Sequence, residues 1–512
     1  MNAIPFPPPQ HRGGLASACV SVPSAEAMAF PERVALGALL ALAVGIIFSN
    51  AFTQELHVTS AFYAALAREI VTAGDPLEIF RGARAYLLKP PLVLWASAAS
   101  MTVFGFNTFA ATLPVRLAGV GCVWLTYLIG RRIFDRATAW YAAFMLVTLG
   151  PFFQFTVTFR MDPILTFGVL LSTWAYLAAA HRAAPFAFSM GIVISVLAKG
   201  PAALYLLVML PVHAMVDPGC LAQARRWPLR WYLLLLIPVA WYAWLWTQHG
   251  MRPFTEVYED FWRTSTAVGV SRYQSALEEY VQKPATRFLP WLPFILAGFV
   301  LACRDLRRAA TPRAERAALL LLVTGIAVTI GVSITKPDHD IRYWYPEFPA
   351  MVLLAARPLG RWSAGRLPRW VGRTGVALGI AALLVATGMQ VGNRLRTSAH
   401  LDELRAEVAR GGISPAHTIV IGAVANPPEW PRRQNSVRDW IYFYLGVELP
   451  MMSWQQAQTA DLSGARNFLV PRNRNDARVM REFGLVEIMH AGKIVLADLP
   501  PGAPKSLPPP PP

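Results

Sequence analysis

Lysine is scarce in this chain, and the few lysines are unevenly placed. Lysine and arginine together number 47 in 512 residues, and only six of them are lysine. Because arginine fills the ordinary basic positions, lysines held beside a helix-breaking proline suggest point charges needed at particular places. The alternative is an interfacial role, since lysine side chains reach from apolar surfaces to water and prolines commonly begin helices. Four segments at the rims of apolar stretches show the pattern: Lys89-Pro90-Pro91, Lys199-Gly200-Pro201, Lys283-Pro284 and Lys336-Pro337.

Cysteine and charged residues are also few. The scattered positions of Cys19, Cys122, Cys220 and Cys303 indicate neither a disulfide framework nor a zinc site. Only 15% of the residues are charged, whereas 55% are apolar, which is typical of a polytopic membrane protein. The net charge of +17 would suggest nucleic-acid binding in a soluble protein, but here the distribution of arginine among the loops accounts for it.

The N-terminal segment lacks the charged, apolar and cleavable order of a signal peptide. We therefore predict that residues 1–32 are a disordered cytoplasmic segment and that the first span is an uncleaved anchor. No internal repeat of 20–50 residues is visible in the sequence.

Apolar stretches of nearly bilayer length predict about eleven crossings in a helical membrane domain at 33–392. Arginine-rich loops at 304–316 and 357–373 are predicted to be cytoplasmic, and alternation then places the N-terminus inside. All four lysine segments fall in loops predicted to lie outside. The predicted spans are 33–53, 108–130, 138–158, 163–181, 185–198, 202–216, 231–249, 289–303, 317–335, 346–357 and 373–392.

Two further regions have their own patterns. Residues 61–73 and 92–103, in the first outer loop, have short helical apolar patterns that predict helices lying in the membrane interface. At 393–498 the hydropathy drops and a small periplasmic α/β domain is predicted, followed by a disordered proline-rich tail at 499–512. Its predicted elements are helices at 398–410 and 474–483 and strands at 417–424, 466–470 and 485–497.

The outer-face segments are, in order, Tyr63-Ala64, Arg68-Glu69, Gly74-Asp75, Arg84-Ala85-Tyr86, Lys89-Pro90-Pro91, Trp95, Arg160-Met161-Asp162, Lys199-Gly200-Pro201, Arg342-Tyr343-Trp344-Tyr345-Pro346 and Pro349. The series resembles the GT-C superfamily of membrane glycosyltransferases, in particular the family 39-like bacterial relatives of protein O-mannosyltransferases and of the lipid A aminoarabinose transferase. The resemblance covers about residues 33–360 in order and spacing, and the lysine-proline-proline segment is its most specific part.

The resemblance implies transfer of a hexosyl or pentosyl group from a polyprenyl phosphate to an envelope lipid, glycan or protein. The expected location is the outer face of the bacterial cytoplasmic membrane, with no nucleic-acid partner. Because displacement at the anomeric carbon leaves a phosphate monoester anion, fixed cations near that phosphate lower the barrier. Lys89, Lys199 and Arg342 are the predicted donor-phosphate ligands. Other predicted substrate-binding residues are His57, Thr59, Tyr63, Arg84, Tyr86, Arg160, Lys336, His339 and Tyr345.

The acid or base is harder to assign. Members of the superfamily usually carry an acidic pair just before the tyrosine-alanine segment, and the matching position here is Thr59-Ser60. Glu55 and Asp162 are the two candidate catalytic carboxylates. The alternatives are an interfacial charge for Glu55 and an ion pair with Arg160 for Asp162.

The sequence shows no metal-binding cluster and implies no certain cofactor. It leaves open a divalent cation between Asp162 and the donor phosphate.

Two other functions stay open at this point. A lipid or sugar transporter is disfavoured because transporters place ionisable residues deep within spans, whereas most charges here lie at span ends. A noncatalytic subunit that binds the polyprenyl lipid is favoured only by Thr59-Ser60, where carboxylates are expected.

Overall fold

Helices dominate the part of the chain that the structure describes. The computed structural model describes residues 30–56, 59–81, 84–262, 277–335, 340–363, 401–421, 436–452, 456, 465, 467–471, 485–491 and 494–498. The span predicted at 373–392, the helix predicted at 474–483 and the tail at 499–512 lie outside these ranges.

The bounds of the helices show where proline and glycine interrupt the apolar stretches. The α-helices are Phe30–Phe48, Thr59–Ala73, Leu92–Phe104, Thr108–Ile133, Arg136–Val147, Gly150–Thr156, Asp162–Leu177, Ala184–Lys199, Leu206–Val216, Gly219–Ala224, Leu236–His249, Arg252–Trp262, Lys283–Arg287, Leu292–Arg307, Arg313–Thr335, Phe348–Trp362, 401–409 and Ser436–Leu445. Shorter 3₁₀ turns cover Gly200–Tyr205, Leu229–Leu235 and Ile341–Glu347, and a π-turn covers Glu278–Gln282.

Several of these helices can cross a bilayer. Within the described residues, four are long and apolar enough to do so, namely Phe30–Phe48, Thr108–Ile133, Leu229–His249 and Arg313–Ile334. A fifth span results if Glu278–Arg287 and Leu292–Arg307, which are bent by 112°, form one crossing. The chain is therefore a multi-pass membrane protein, and the number of about eleven crossings stays a prediction.

Two predicted spans have the wrong bounds. The stretch 138–158 is two helices rather than one, because Pro151 has no N–H to continue the first helix and instead occupies the first turn of the second. The first span ends at Phe48 rather than at 53. Residues 49–56 then form turns and irregular structure, so Gln54 and Glu55 lie beyond the helix.

A buried arginine fixes this irregular segment. Arg116, within the Thr108–Ile133 helix, is 0% exposed and donates hydrogen bonds to the first span, the segment after it and the residues before Arg160. A guanidinium buried at such a site is stable only when its donors are paired. Its acceptors there are Ile47 O, Asn50 Oδ1 at 2.9 Å, Gln54 Oε1 at 3.2 Å and Val157 O at 3.0 Å.

The helices Asp162–Leu177 and Ala184–Lys199 form a close antiparallel hairpin. Glycines allow the approach, since a Cβ on Gly168 would lie 2.6 Å from Gly191 O. A short turn at 178–183 joins the two helices. The start of the first helix and the end of the second therefore lie at the same end of the pair, which brings Asp162 to Lys199.

Ion pairs gather at the opposite end of the bundle. Glu32, at the start of the first span, binds Arg131 at 2.9 Å and Arg136 at 3.3 Å. Arg357 similarly binds Asp305 at 2.6 Å. These arginines belong to the loops predicted to be cytoplasmic, and part of their charge is neutralised within the fold.

The C-terminal region contains a five-stranded mixed sheet. The strands are β3 (Thr418–Ile421), β4 (Met451–Met452), β5 (Asn467–Pro471), β6 (Val486–Ala491) and β7 (Ile494–Asp498), in the order β4-β3-β5-β7-β6. β3 is parallel to β4 and β5, whereas β7 is antiparallel to β5 and β6. The single strand predicted at 485–497 is therefore wrong, because the chain reverses between β6 and β7. A separate hairpin of β1 (Phe80–Arg81) and β2 (Arg84–Ala85) precedes Lys89.

Candidate active site

The helical hairpin presents a lysine and a carboxylate in direct contact. Asp162 begins one helix and its side chain is 5% exposed, while the Lys199 side chain, at the end of the other, is 17% exposed. Lys199 Nζ donates to Asp162 Oδ1. The sequence predicts Lys199 as a phosphate ligand and Asp162 as a catalytic carboxylate of the same site. The fold brings the two side chains together although 37 positions separate them.

Arg342 and Lys199 both lie near the ring of Tyr343. Arg342 lies on the Ile341–Glu347 turn, where Asp340 accepts its backbone N–H at 2.9 Å and its Nε at 3.0 Å. Lys199 Nζ lies 5.3 Å from the centroid of the Tyr343 ring, and the Arg342 guanidinium carbon lies 5.1 Å from it. The Tyr343 ring therefore lies within cation–π distance of both positive charges. It is part of the matched segment but was not among the predicted site residues.

Arg160 adds a third cation. Its charge interacts with those of Arg342, Asp162 and Asp340, and with the Tyr63 hydroxyl. Its Nε is buried and has no hydrogen-bond partner among the described residues. Burial, and then the neighbouring charge of Arg342, lower the pKa of Arg160. An anionic ligand would relieve both effects, because it would supply the missing acceptor and an opposite charge.

We call Arg160, Lys199 and Arg342 the cation cluster. These three residues outnumber the carboxylates Asp162 and Asp340 by one positive charge. Such a group of fixed cations, half-buried at the ends of helices, can bind a phosphate.

The segment that contains Lys89 packs beside Gly200, the residue after Lys199, with Pro90 at the contact. Gly200 follows Lys199 and has a positive φ of 58°. A Cβ there would lie 3.7 Å from Pro90 Cγ and 2.9 Å from Tyr242 Oη, so the two lysine segments are packed against each other. Lys89 itself is half-buried and immediately precedes the two prolines that lead into the Leu92–Phe104 helix.

Two predicted tyrosines flank the same site. The Tyr63 ring lies 6.0 Å from that of Phe159 and 6.4 Å from that of Tyr86, as measured between centroids. Ser60 Oγ lies 3.5 Å from Phe159 O, so Thr59 and Ser60 begin their helix beside the segment that carries Arg160. The position at which the superfamily usually has carboxylates is therefore close to the cation cluster.

Glu55 lies on the segment that Arg116 fixes. Arg116 donates hydrogen bonds both to Gln54, the residue before Glu55, and to the backbone oxygen of Val157. Leu56, the residue after Glu55, is buried. Glu55 is half-buried, and its charge acts on the hydroxyl of Tyr444 from the C-terminal region. The structure thus places Glu55 on a segment that passes next to residues 157–160.

One predicted site residue belongs to the core instead. Tyr345 is 0% exposed, its ring stacks on Phe152 at 5.3 Å, and its hydroxyl lies 2.6 Å from Thr156 Oγ1. These contacts correct its assignment to substrate binding, because a ring that is fully packed and hydrogen-bonded has no surface left for a ligand. His57, Lys336, His339 and the side chain of Arg84 lie outside the described part of the chain.

The described residues contain no cluster of side chains suited to bind a metal ion. Over the described ranges, no group of three or more His, Cys, Asp or Glu side chains could hold a metal ion. A divalent cation between Asp162 and a donor phosphate stays a prediction.

Comparison with known proteins defines the class. A family model described as dolichyl-phosphate-mannose-protein mannosyltransferase matches residues 88–244, which include Lys89, Arg160, Asp162 and Lys199. The fold is also that of solved membrane glycosyltransferases. The chain thus shares the fold of a solved ArnT and matches a mannosyltransferase family model over residues 88–244, and both findings support the resemblance drawn from its motifs.

Individual relatives are similar at different levels. The crystal structure of ArnT from Cupriavidus metallidurans bound to undecaprenyl phosphate matches with a TM-score of 0.63 and 17% identity, covering 90% of this chain and 97% of that one. The apo state of the same protein gives a TM-score of 0.60, 16% identity and the same coverage. The undecaprenyl phosphate-alpha-4-amino-4-deoxy-L-arabinose arabinosyl transferase of Shewanella sediminis is 25% identical over 238 residues, which are 45% of this chain and 42% of that protein. The matches span between 13% and 42% of the lengths of the curated relatives.

Proposed function

We propose that this protein transfers a sugar from a polyprenyl-phosphate donor to a hydroxyl-bearing lipid, glycan or protein on the outer face of a bacterial cytoplasmic membrane. The observation that carries the proposal is the cation cluster, with its orphaned Arg160 donor, at one end of a membrane-embedded helical hairpin. The match to ArnT solved with undecaprenyl phosphate supports the same class of donor.

The reaction follows from charge balance. The acceptor oxygen attacks the anomeric carbon as the bond from that carbon to the phosphate oxygen breaks, which inverts the anomeric configuration. The phosphate gains one negative charge as it leaves, and fixed cations stabilise that charge most in the transition state. Lys199, Arg342 and Arg160 supply these cations in the proposal, and Lys89 approaches from the adjoining segment.

The two carboxylates receive different roles. Asp162 contacts Lys199 and lies among three positive charges, which favour its ionised form and make it a weak base. We therefore assign to Asp162 the positioning of Lys199. Glu55 is the candidate that accepts the proton from the acceptor hydroxyl, because it is a half-buried carboxylate on the segment that passes beside residues 157–160.

Substitution of Glu55 tests the second role. Glu55→Gln should lower the single-turnover transfer rate about 100-fold, since a general base contributes roughly 10²–10⁴-fold. Donor binding should change by less than about twofold, because the cation cluster is intact. A full transfer rate for Glu55→Gln would contradict the assignment, and the same measurement on Asp162→Asn would show whether that carboxylate serves instead.

Reconstitution tests the activity itself. Purified protein in vesicles, supplied with labelled polyprenyl-phosphate sugars and envelope fractions, should transfer label to one fraction. The absence of label in all lipid, glycan and protein fractions would contradict the proposal.

A second candidate function rests on Thr59-Ser60. Because neither residue is a carboxylate, the protein would bind the lipid carrier without turning it over. This alternative predicts donor binding by the unmodified protein with no turnover, and binding that is unchanged in Glu55→Gln.

A further inference from the structure

The helix Ser436–Leu445 of the C-terminal region docks onto the first outer loop. Arg68 Nη1 donates to Phe443 O at 2.8 Å, and the Tyr442 hydroxyl donates to the Glu69 carboxylate. The Arg68 guanidinium also lies 4.1 Å from the centroid of the Phe106 ring. The Arg68-Glu69 pair, found in the sequence as part of the family resemblance, is therefore occupied in holding this helix.

One residue of that helix reaches further, to the segment of Glu55. Tyr444 is 5% exposed, and its hydroxyl accepts the backbone N–H of Leu56 at 3.2 Å. The same hydroxyl lies 2.6 Å from Thr108 Oγ1, and either of the two hydroxyls can be the donor in that hydrogen bond. Arg405 fixes the backbone from behind, because its Nε donates to Tyr444 O at 3.1 Å.

Glu55 thus lies between two anchors. On one side Arg116 holds Gln54, and on the other Tyr444 holds the N–H of Leu56. After the first span, turns with their own backbone hydrogen bonds continue as far as Gln54, whose N–H donates to Asn50 O at 3.0 Å, and residues 54–56 have no regular secondary structure. The buried N–H of Leu56 therefore takes a side-chain acceptor, since buried backbone donors require partners.

Tyr444 is suited to a permanent contact. Burial, and to a smaller extent the charge of Glu55, raise the pKa of the Tyr444 hydroxyl to about 12. The hydroxyl is neutral at physiological pH and keeps both of its hydrogen bonds.

We infer that Tyr444 is a positioning residue, through which the C-terminal region holds the Glu55 carboxylate in register with the cation cluster. This inference rests on the proposed function. It makes the C-terminal region part of the catalytic unit, because the placement of the base depends on a residue 388 positions away from the backbone it binds. Loss of the hydroxyl would leave the Leu56 N–H without its acceptor and would let the Glu55 carboxylate shift. A small shift of this carboxylate is enough to slow the proton transfer.

Tyr444→Phe tests the inference, since it removes the hydroxyl and keeps the ring that packs against Trp440 at 4.7 Å. We expect the transfer rate to fall at least about tenfold with an unchanged KM for the donor. In a Glu55→Gln background the same substitution should cost less than about twofold, because it acts through Glu55. The matched control is Tyr442→Phe, which loses the hydroxyl that contacts Glu69 and Thr72 and should keep the rate within about twofold.

A full rate for Tyr444→Phe, or an equal loss in the Glu55→Gln background, would overturn the inference. Amide hydrogen exchange at Leu56 is a readout that needs no activity, and it should accelerate in Tyr444→Phe and not in Tyr442→Phe. If the unmodified protein transfers no sugar but its Leu56 amide is protected from exchange, the proposed function is wrong and the contact between Tyr444 and Leu56 is right. Fast exchange of the Leu56 amide in the unmodified protein would show that the contact with Tyr444 does not form. Thr108→Val, which deletes the other partner of the hydroxyl, replaces Tyr444→Phe if that variant does not fold.

Discussion

Replacing Lys199 with methionine should lower the rate of sugar transfer by roughly 1000-fold, since loss of one preorganised donor to a developing anion costs about 10²–10³. Methionine keeps the length of the side chain and removes the charge that contacts Asp162 and lies over Tyr343. The loss should appear in the rate of the chemical step more than in donor KM, because the phosphate gains charge as the bond breaks.

A double substitution separates this role from simple charge balance. Lys199→Met leaves Asp162 buried without its cation, so part of any loss comes from an unpaired carboxylate. Asp162→Asn in the same protein removes that penalty and should restore thermal stability. If Lys199 contacts the phosphate, the transfer rate of the double variant stays at least about 100-fold low. Recovery to near the unmodified rate would show that the lysine only neutralises Asp162.

Lys89→Ala should abolish detectable transfer while leaving expression and membrane insertion intact. The lysine immediately precedes Pro90, which packs beside Gly200, the residue that follows Lys199. An ammonium held there would contact the donor phosphate in the ground state as well as in the transition state. Both donor affinity and transfer rate should therefore fall, the combined loss in kcat/KM exceeding about 1000-fold.

The chain offers a matched control for this substitution. Lys283 also stands before a proline, but it contacts Glu279 and lies 3.7 Å from Glu278, so its charge is already neutralised. Lys283→Ala should keep transfer within about twofold, since its charge is paired with carboxylates and it is not a member of the cation cluster. Activity retained by Lys89→Ala would contradict the phosphate role, and equal losses in both variants would indicate a general need for interfacial charge.

Motif order was sufficient to find most of the cluster. Lys199, Arg342, Arg160 and Asp162 were all predicted from short segments, because lysine, arginine and aspartate at span ends stand out against an apolar background. Tyr343 was missed although it lies beside Arg342, since a pattern cannot tell which aromatic ring faces the cations. Tyr345 was assigned wrongly for the same reason, and its packing against Phe152 became visible only in three dimensions.

Contacts between distant residues were beyond the sequence. Arg116 is a lone arginine within an apolar span, and that signal was present but was not used. Nothing in the sequence links Tyr444 to Leu56, because the contact depends on how the C-terminal region docks. Helix bounds differ from the prediction at Phe48, where Arg116 binds the residues that follow the helix, and after Val147, where Pro151 starts a new helix.

Lipid binding tests the cation cluster most directly. Purified protein should bind a polyprenyl phosphate at least about tenfold more tightly than the uncharged polyprenol of the same chain length, since each charge-assisted contact contributes about 1.5–3 kcal/mol. In Arg342→Ala and Lys199→Met this preference should shrink, whereas Lys283→Ala should keep it. Equal affinity of the unmodified protein for the phosphate and the alcohol would contradict the assignment of a phosphate site.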